Sequence, residues 1–391
     1  MNRGLIIIPA IVATLGLSAG LLLFNGLPLR SVPPPTSGIV GAVSDVVTDP
    51  ARKEFFAEAG VRVVPFQILY PASATGRVVP YVPDAKPVIA AFARNQGQLG
   101  LALTRIGKIA APWTDNAQPR GGKPFPVVIY LPGATGYMQM SSFQTAALAA
   151  DGFVVVTLNQ PGAVGAALLP DGRVIQGMSR NESVQLVAPS YRRLSLPSKL
   201  AAKLSPDKSI IPYLAADVPV VIDRLEAINS DPNHPLYKLL DLQRIGVMGV
   251  SLGAIVAAQA CQSYDRVTSC LMLDAPAPLS VANAGLRRPA LWLSRPPADQ
   301  RAERAASGGW PEHEIVAQAD SIARAVSNSR KASVLELRGM FHVDFTDLPT
   351  IQPIVGWIGM AGPTGTEKAH QKITSLTIDF FRQMKISPKK L

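Results

Sequence analysis

Gly249-Val250-Ser251-Leu252-Gly253 constrains the fold of this chain more than any other stretch. Before it, Arg244-Ile245-Gly246-Val247-Met248 has the apolar run of a buried strand. After it, Ala254-Ile255-Val256-Ala257-Ala258-Gln259-Ala260 has the small apolar residues of a packed helix. A strand, a G-x-S-x-G turn and a helix hold a serine hydroxyl out of a sheet and at a helix N-terminus. Gly249 and Gly253 suit so sharp a turn, because neighbouring backbone approaches it closely. The helix dipole and its free N–H groups favour negative charge developing beside Ser251.

The rest of the chain repeats the same alternation. Pro126–Leu131 and Phe153–Leu158 read as buried strands, as do Thr268–Leu273, Pro289–Leu293 and Ala332–Leu337. Ser142–Ala150, Leu214–Ile228 and Ile373–Met384 read as helices. Val61–Tyr70 reads as early strand, with Pro65 marking an edge or bulge. Strands alternating with helices predict an α/β architecture, a mostly parallel sheet with helices on both faces. Residues 163–212 lack clean periodicity and read as an inserted cap.

In such sheets the chemistry sits at the carboxyl ends of the strands. A serine needs a base, and a base needs a carboxylate to fix its tautomer. Of four histidines, only His342 follows a strand pattern. His234 lies in a proline-flanked loop, His313 at a charged helix start and His370 at the start of the last helix. Two carboxylates compete for the third role: Asp274, directly after Leu271-Met272-Leu273, and Asp299, after the next strand. An oxyanion hole needs two backbone N–H groups. Leu252, next to the serine, supplies one; Ala134, in the Pro132-Gly133-Ala134 loop, is the candidate for the other. No Lys-Ser or Lys-Thr follows that loop, so it is not a phosphate cradle.

Leu5–Phe24 is a run of 20 residues without charge, flanked by Arg3 and Arg30. As a helix it is about 30 Å long, enough to cross a bilayer. It reads as an uncleaved anchor (residues 5–24, after a tail of 1–4), which its length favours over a signal peptide. Either reading exports the remainder of the chain. Residues 25–50 read as a linker and 51–391 as the globular domain. Apolar content of 48% with 17% charge supplies a large core. The net charge of +11 is not clustered with aromatics, which argues against nucleic acid. Its densest part, Arg192, Arg193, Lys199, Lys203 and Lys208, is interleaved with leucines. That pattern reads as a half-buried lid helix or as a segment lying on an anionic membrane. Cys261 and Cys270 have no metal-ligand spacing and read as two buried thiols, or as a disulfide if the domain is exported.

Tyr70-Pro71-Ala72, Leu131-Pro132-Gly133-Ala134, Asp223-Arg224-Leu225-Glu226, Gly249-x-Ser251-x-Gly253, Leu273-Asp274-Ala275 and Arg338-Gly339-x-x-His342-x-x-Phe345 occur in that order. Together they resemble the monomeric, plasma-type platelet-activating factor acetylhydrolases, with related bacterial lipases and dienelactone-hydrolase-like proteins. The resemblance covers about Tyr70 to Asp347 and implies the α/β-hydrolase fold. It also implies a Ser251, His342, Asp274 triad, since the family's acid lies in the Leu-Asp-Ala segment. It implies hydrolysis of short or oxidised acyl chains from lipid or small-molecule esters, without metal or cofactor. Val250 and Pro132 stand where the family usually has histidines, and Ala254 replaces its second glycine. None of these changes removes a catalytic group. The expected protein is a membrane-anchored serine esterase on the periplasmic side, secreted if the leader is cleaved. An acyltransferase with the same triad and a non-catalytic binding module are the alternatives.

Overall fold

The computed structural model describes residues 28–96, 103–192 and 209–385. β1 (Ile39–Lys53), β2 (Val61–Ala74), β3 (Arg77–Pro80), β4 (Ala110–Asp115) and β5 (Gln118–Pro119) open the main sheet. β6 (Phe125–Leu131) and β7 (Val154–Leu158) form its centre, and every residue of both is buried. β8 (Ala166–Leu168) and β9 (Val174–Gln176) pair in a small separate sheet. β10 (Leu240–Val250), β11 (Val267–Leu273), β12 (Ala290–Ser294) and β13 (Ala332–Glu336) complete the main one. Its order is β13-β12-β11-β10-β6-β7-β2-β1-β4-β3, with β5 paired to β2. Strands β6, β7 and β10 to β13 run parallel, while β2 runs antiparallel to both β7 and β1.

Successive residues of a strand point to opposite faces, and here each face has its own core. Val127, Ile129 and Leu131 pack with α2 (Asp217–Ser230), α3 (Leu252–Ser263) and α5 (Glu312–Ser327). Val128 and Tyr130 pack on the other face with α1 (Ser142–Ala150) and α6 (Thr366–Lys385). The continuous apolar strands are therefore explained by cover on both sides. The sixth labelled helix, α4 (Pro297–Ser307), lies beyond β12 and packs against α5.

Several expectations change. The stretch expected as linker, 25–50, instead supplies β1, which pairs with β2 from Ile39↔Ala72 to Asp49↔Arg62. Val40 and Ala42, two residues apart on one face, are buried while Ile39 faces out. Gly41 matters there, because a Cβ would lie 2.4 Å from the Tyr70 ring. The folded body begins earlier still, with Val32 buried and the Arg30 N–H bonded to the Ile351 carbonyl at 2.9 Å. Pro65 lies in an interior strand, one residue beyond the last β2–β7 pair, Phe66↔Leu158. Its missing N–H therefore breaks no rung of that ladder. The helix expected at 214–228 is two, Ile211–Ala215 and α2, broken at Ala216.

The stretch expected as a cap, 163–212, carries β8, β9 and a helix at Arg180–Val187 with a Ser179/Glu182 capping box. Most of the basic stretch, including Arg193, Lys199, Lys203 and Lys208, lies outside the described residues. Arg192 is described and pairs with Glu314 at 2.7 Å. The anchor segment 5–24 also lies outside them. Among the described residues, no helix is long and apolar enough to cross a membrane. Cys261 and Cys270 are not free thiols: they form a disulfide between α3 and β11, with Cα atoms 6.2 Å apart. Spacing within the chain did not reveal this, because the end of a helix and the next strand were brought together by packing.

Candidate active site

β10 ends at Val250 and α3 starts at Leu252, which leaves Ser251 alone at the turn. Its φ of +55° and ψ of −122° are a conformation rarely adopted by residues with a side chain. The flanking glycines make the turn possible. A Cβ on Gly249 would lie 2.3 Å from the Gly253 carbonyl carbon, and one on Gly253 would lie 1.9 Å from the Leu131 oxygen. The Ser251 N–H donates to the Leu273 carbonyl at 2.9 Å, which places the turn beside the residue that follows β11.

That residue is Asp274, buried and also at positive φ, +49°. Its Oδ2 lies 2.6 Å from His342 Nδ1 and accepts from Arg295 Nε at 2.7 Å. Its Oδ1 accepts from the Arg295 N–H and from Gln318 Nε2, at 3.4 and 3.3 Å. Burial pushes the Asp274 carboxyl up, but the Arg295 guanidinium and the His342 ring outweigh it and hold it well below the usual range. His342 opens a 3₁₀ turn, His342–Phe345, and keeps 28% of its side-chain surface exposed. Asp299, the other carboxylate suggested by the chain, accepts from the Gly339 N–H at 2.7 Å and so braces the loop leading to His342. Among the described residues, the Ser251 hydroxyl has no hydrogen-bond partner, His342 included. Such bonds often form only when substrate is present.

Gly133 faces the serine, and a Cβ there would lie 3.3 Å from Ser251 Cβ. The Thr135 N–H donates to Ala163 at 3.0 Å and Gly136 to Gly133 at 3.2 Å, which fixes the loop. The intervening Ala134 N–H and the Leu252 N–H take no acceptor among the described residues. Both remain available to an incoming oxyanion.

Three residues of this neighbourhood escaped sequence reasoning. Arg295 is buried and sits directly after β12. Glu303, one turn along α4 from Asp299, pairs with Arg295 Nη1 and accepts the His342 N–H at 3.0 Å. Gln318 comes from α5 and bridges Asp274 to the Ser294 hydroxyl. The chain offered one signal, the carboxylates Asp299 and Glu303 at i, i+4 on one helix face. The remaining histidines serve elsewhere. His313 is exposed, 3.7 Å from Glu314, and His370 stacks on Phe143 at 3.7 Å. His234 Nδ1 accepts from the Leu236 N–H at 3.1 Å. Among the described residues, no three His, Cys, Asp or Glu side chains group as a metal site requires.

A sheet in this order, with a serine at the strand-to-helix turn and a buried aspartate bonded to a histidine after the last strand, is the arrangement of a hydrolase. Residues 128–372 match the Alpha/beta hydrolase family, and the chain belongs to it. Among solved structures, it is similar to the ferulic acid esterase from Streptomyces cinnamoneus. The identity is 22% and the TM-score 0.64, over 90% of this chain and 92% of that one. It is also similar to a dienelactone hydrolase-like promiscuous phosphotriesterase from metagenomic libraries, at 11% identity and TM-score 0.45, over 88% and 98%. At 22% identity the likeness to the esterase concerns the fold. A search of curated proteins finds no match.

Proposed function

We propose that the protein is a serine carboxylic-ester hydrolase. Ser251 attacks the ester carbonyl while His342 takes its proton, and Asp274 holds the Nδ1 tautomer and stabilises the imidazolium. The Ala134 and Leu252 N–H groups take the carbonyl oxygen as it gains charge. Collapse returns the proton to the leaving alcohol and leaves an acyl-Ser251, which water hydrolyses by the same route. The observation that carries this reading is the 2.6 Å contact between His342 Nδ1 and buried Asp274, one residue past the carbonyl bonded to the Ser251 N–H.

The resemblance to platelet-activating factor acetylhydrolases extends the reading to lipid esters with short or oxidised acyl chains. We place the domain outside the cytosol, held by an anchor at residues 5–24, with the basic cap as a further membrane contact. The Cys261–Cys270 disulfide supports export, because oxidising compartments preserve such bonds. Purified protein should be labelled by a fluorophosphonate probe at Ser251 and should turn over p-nitrophenyl acetate. Ser251→Ala should lose both properties, and retained turnover in that variant would overturn the proposal. Rising acyl lengths, tested beside oxidised phospholipid, define the substrate. An added alcohol acceptor that captures the acyl group would instead reveal a transferase.

A further inference from the structure

The buried cluster behind His342 contains one more carboxylate than a Ser–His–Asp relay needs. The Asp274 and Arg295 side chains are fully buried and the Glu303 side chain is 9% exposed, so water screens them little. Arg295 is the shared counter-ion. Its Nε binds Asp274 and its Nη1 binds Glu303. Glu303 also grips the His342 backbone N–H at 3.0 Å. With a neutral imidazole, these groups carry two negative charges and one positive. With an imidazolium, the charges balance.

We propose that Glu303 is a positioning residue that supplies the second carboxylate for His342, so that the cluster becomes electroneutral only when the imidazole holds its second proton. Asp274 is neutralised by Arg295, and Glu303 restores the negative charge that this costs. The arrangement favours the imidazolium that forms as Ser251 loses its proton, and so rests on the proposed hydrolase chemistry. Among the described residues, three other charged groups near His342 in the chain or the fold have partners of their own. Asp344, on the same turn, accepts from the Phe341 and Gly362 N–H groups at 2.7 and 2.8 Å. Burial pushes its carboxyl up. Asp299 is held by Gly339, and Arg338 pairs with Glu336 at the surface.

The test is the titration of the His342 ring by NMR in the full chain carrying Ser251→Ala, assigned by its loss in the added His342→Gln variant. Turnover is not needed. Glu303→Gln keeps the size and an acceptor for the His342 N–H but removes the charge. The ring resonances should then titrate at lower pH than in the parent. Glu303→Asp keeps the charge and shortens the reach, and should titrate near the parent. Arg295→Lys, which keeps the cation, should also stay near the parent, whereas Glu303→Ser, which removes the charge too, should shift in the same direction as Glu303→Gln and stands in if that variant does not fold. In active enzyme, the acid limb of kcat/KM should move down by a similar amount in Glu303→Gln. An unmoved titration in Glu303→Gln would overturn the proposal, as would a larger shift in Glu303→Asp or Arg295→Lys. Fluorophosphonate labelling tests the hydrolase reading separately: a silent probe with the Glu303→Gln shift intact removes the enzyme and keeps the electrostatics.

Discussion

Asp274 and Asp299 are both carboxylates that follow a strand, yet their surroundings divide their roles. Asp274 is buried against the imidazole, whereas Asp299 holds a backbone amide of the histidine loop. Asp274→Asn should lower kcat by about 10⁴, because the amide favours the wrong imidazole tautomer. Asp299→Asn retains an acceptor for Gly339 and should cost less than about tenfold. Steady-state kinetics on one ester checks both. His370 supplies a stability prediction. Burial lowers its pKa from 6.5 to about 4 in the folded protein, stacked on Phe143. Between those values the unfolded chain binds the extra proton, so stability is full above pH 6.5 and falls as pH drops towards 4. The melting temperature should therefore decline from pH 7 to pH 5, and decline less in His370→Gln.

At the scale of elements, the strand–turn–helix around Ser251 depends on the absence of side chains. Gly253 packs against the end of β6, where a methyl group would collide with the Leu131 and Pro132 carbonyls at 1.9 and 2.7 Å. Backbone cannot move aside there without displacing the Ala134 loop. Gly253→Ala should lower probe labelling by orders of magnitude and reduce the melting temperature. Gly121→Ala, whose Cβ would meet nothing within 4 Å, is the matched control and should change neither. The disulfide joins α3 to β11, the elements that carry Ser251 and lead into Asp274. It closes a short loop, and the loop-entropy relation gives it roughly 2–3 kcal/mol. Cys261→Ala/Cys270→Ala should unfold at a correspondingly lower denaturant concentration.

The molecule as a whole sets the candidate site at the carboxyl ends of parallel strands, with β8 and β9 inserted after β7. The N-terminal segment joins the body through β1 and the Arg30–Ile351 bond. Removing residues 1–27 should leave p-nitrophenyl acetate turnover intact and move the protein from the membrane fraction to the soluble one. Co-fractionation of the truncated protein with membranes would shift that contact to the cap.

Local pattern made much of this protein legible. Continuous apolar runs marked β6, β7, β11 and β12, since a strand covered on both faces has no polar side to show. The glycine-flanked Ser251 and the residues just past each strand were visible for the same reason: turn geometry is encoded within a few neighbours. The sequence left Asp274 and Asp299 unresolved on spacing alone, hid β1 among prolines and glycines, and did not reveal Arg295, Glu303 or the disulfide. Tertiary structure decided those, because each depends on groups far apart in the chain meeting where water is excluded. Glu303 lies 39 residues from His342. The charge it presents to that ring depends on an arginine that no local pattern pairs with either.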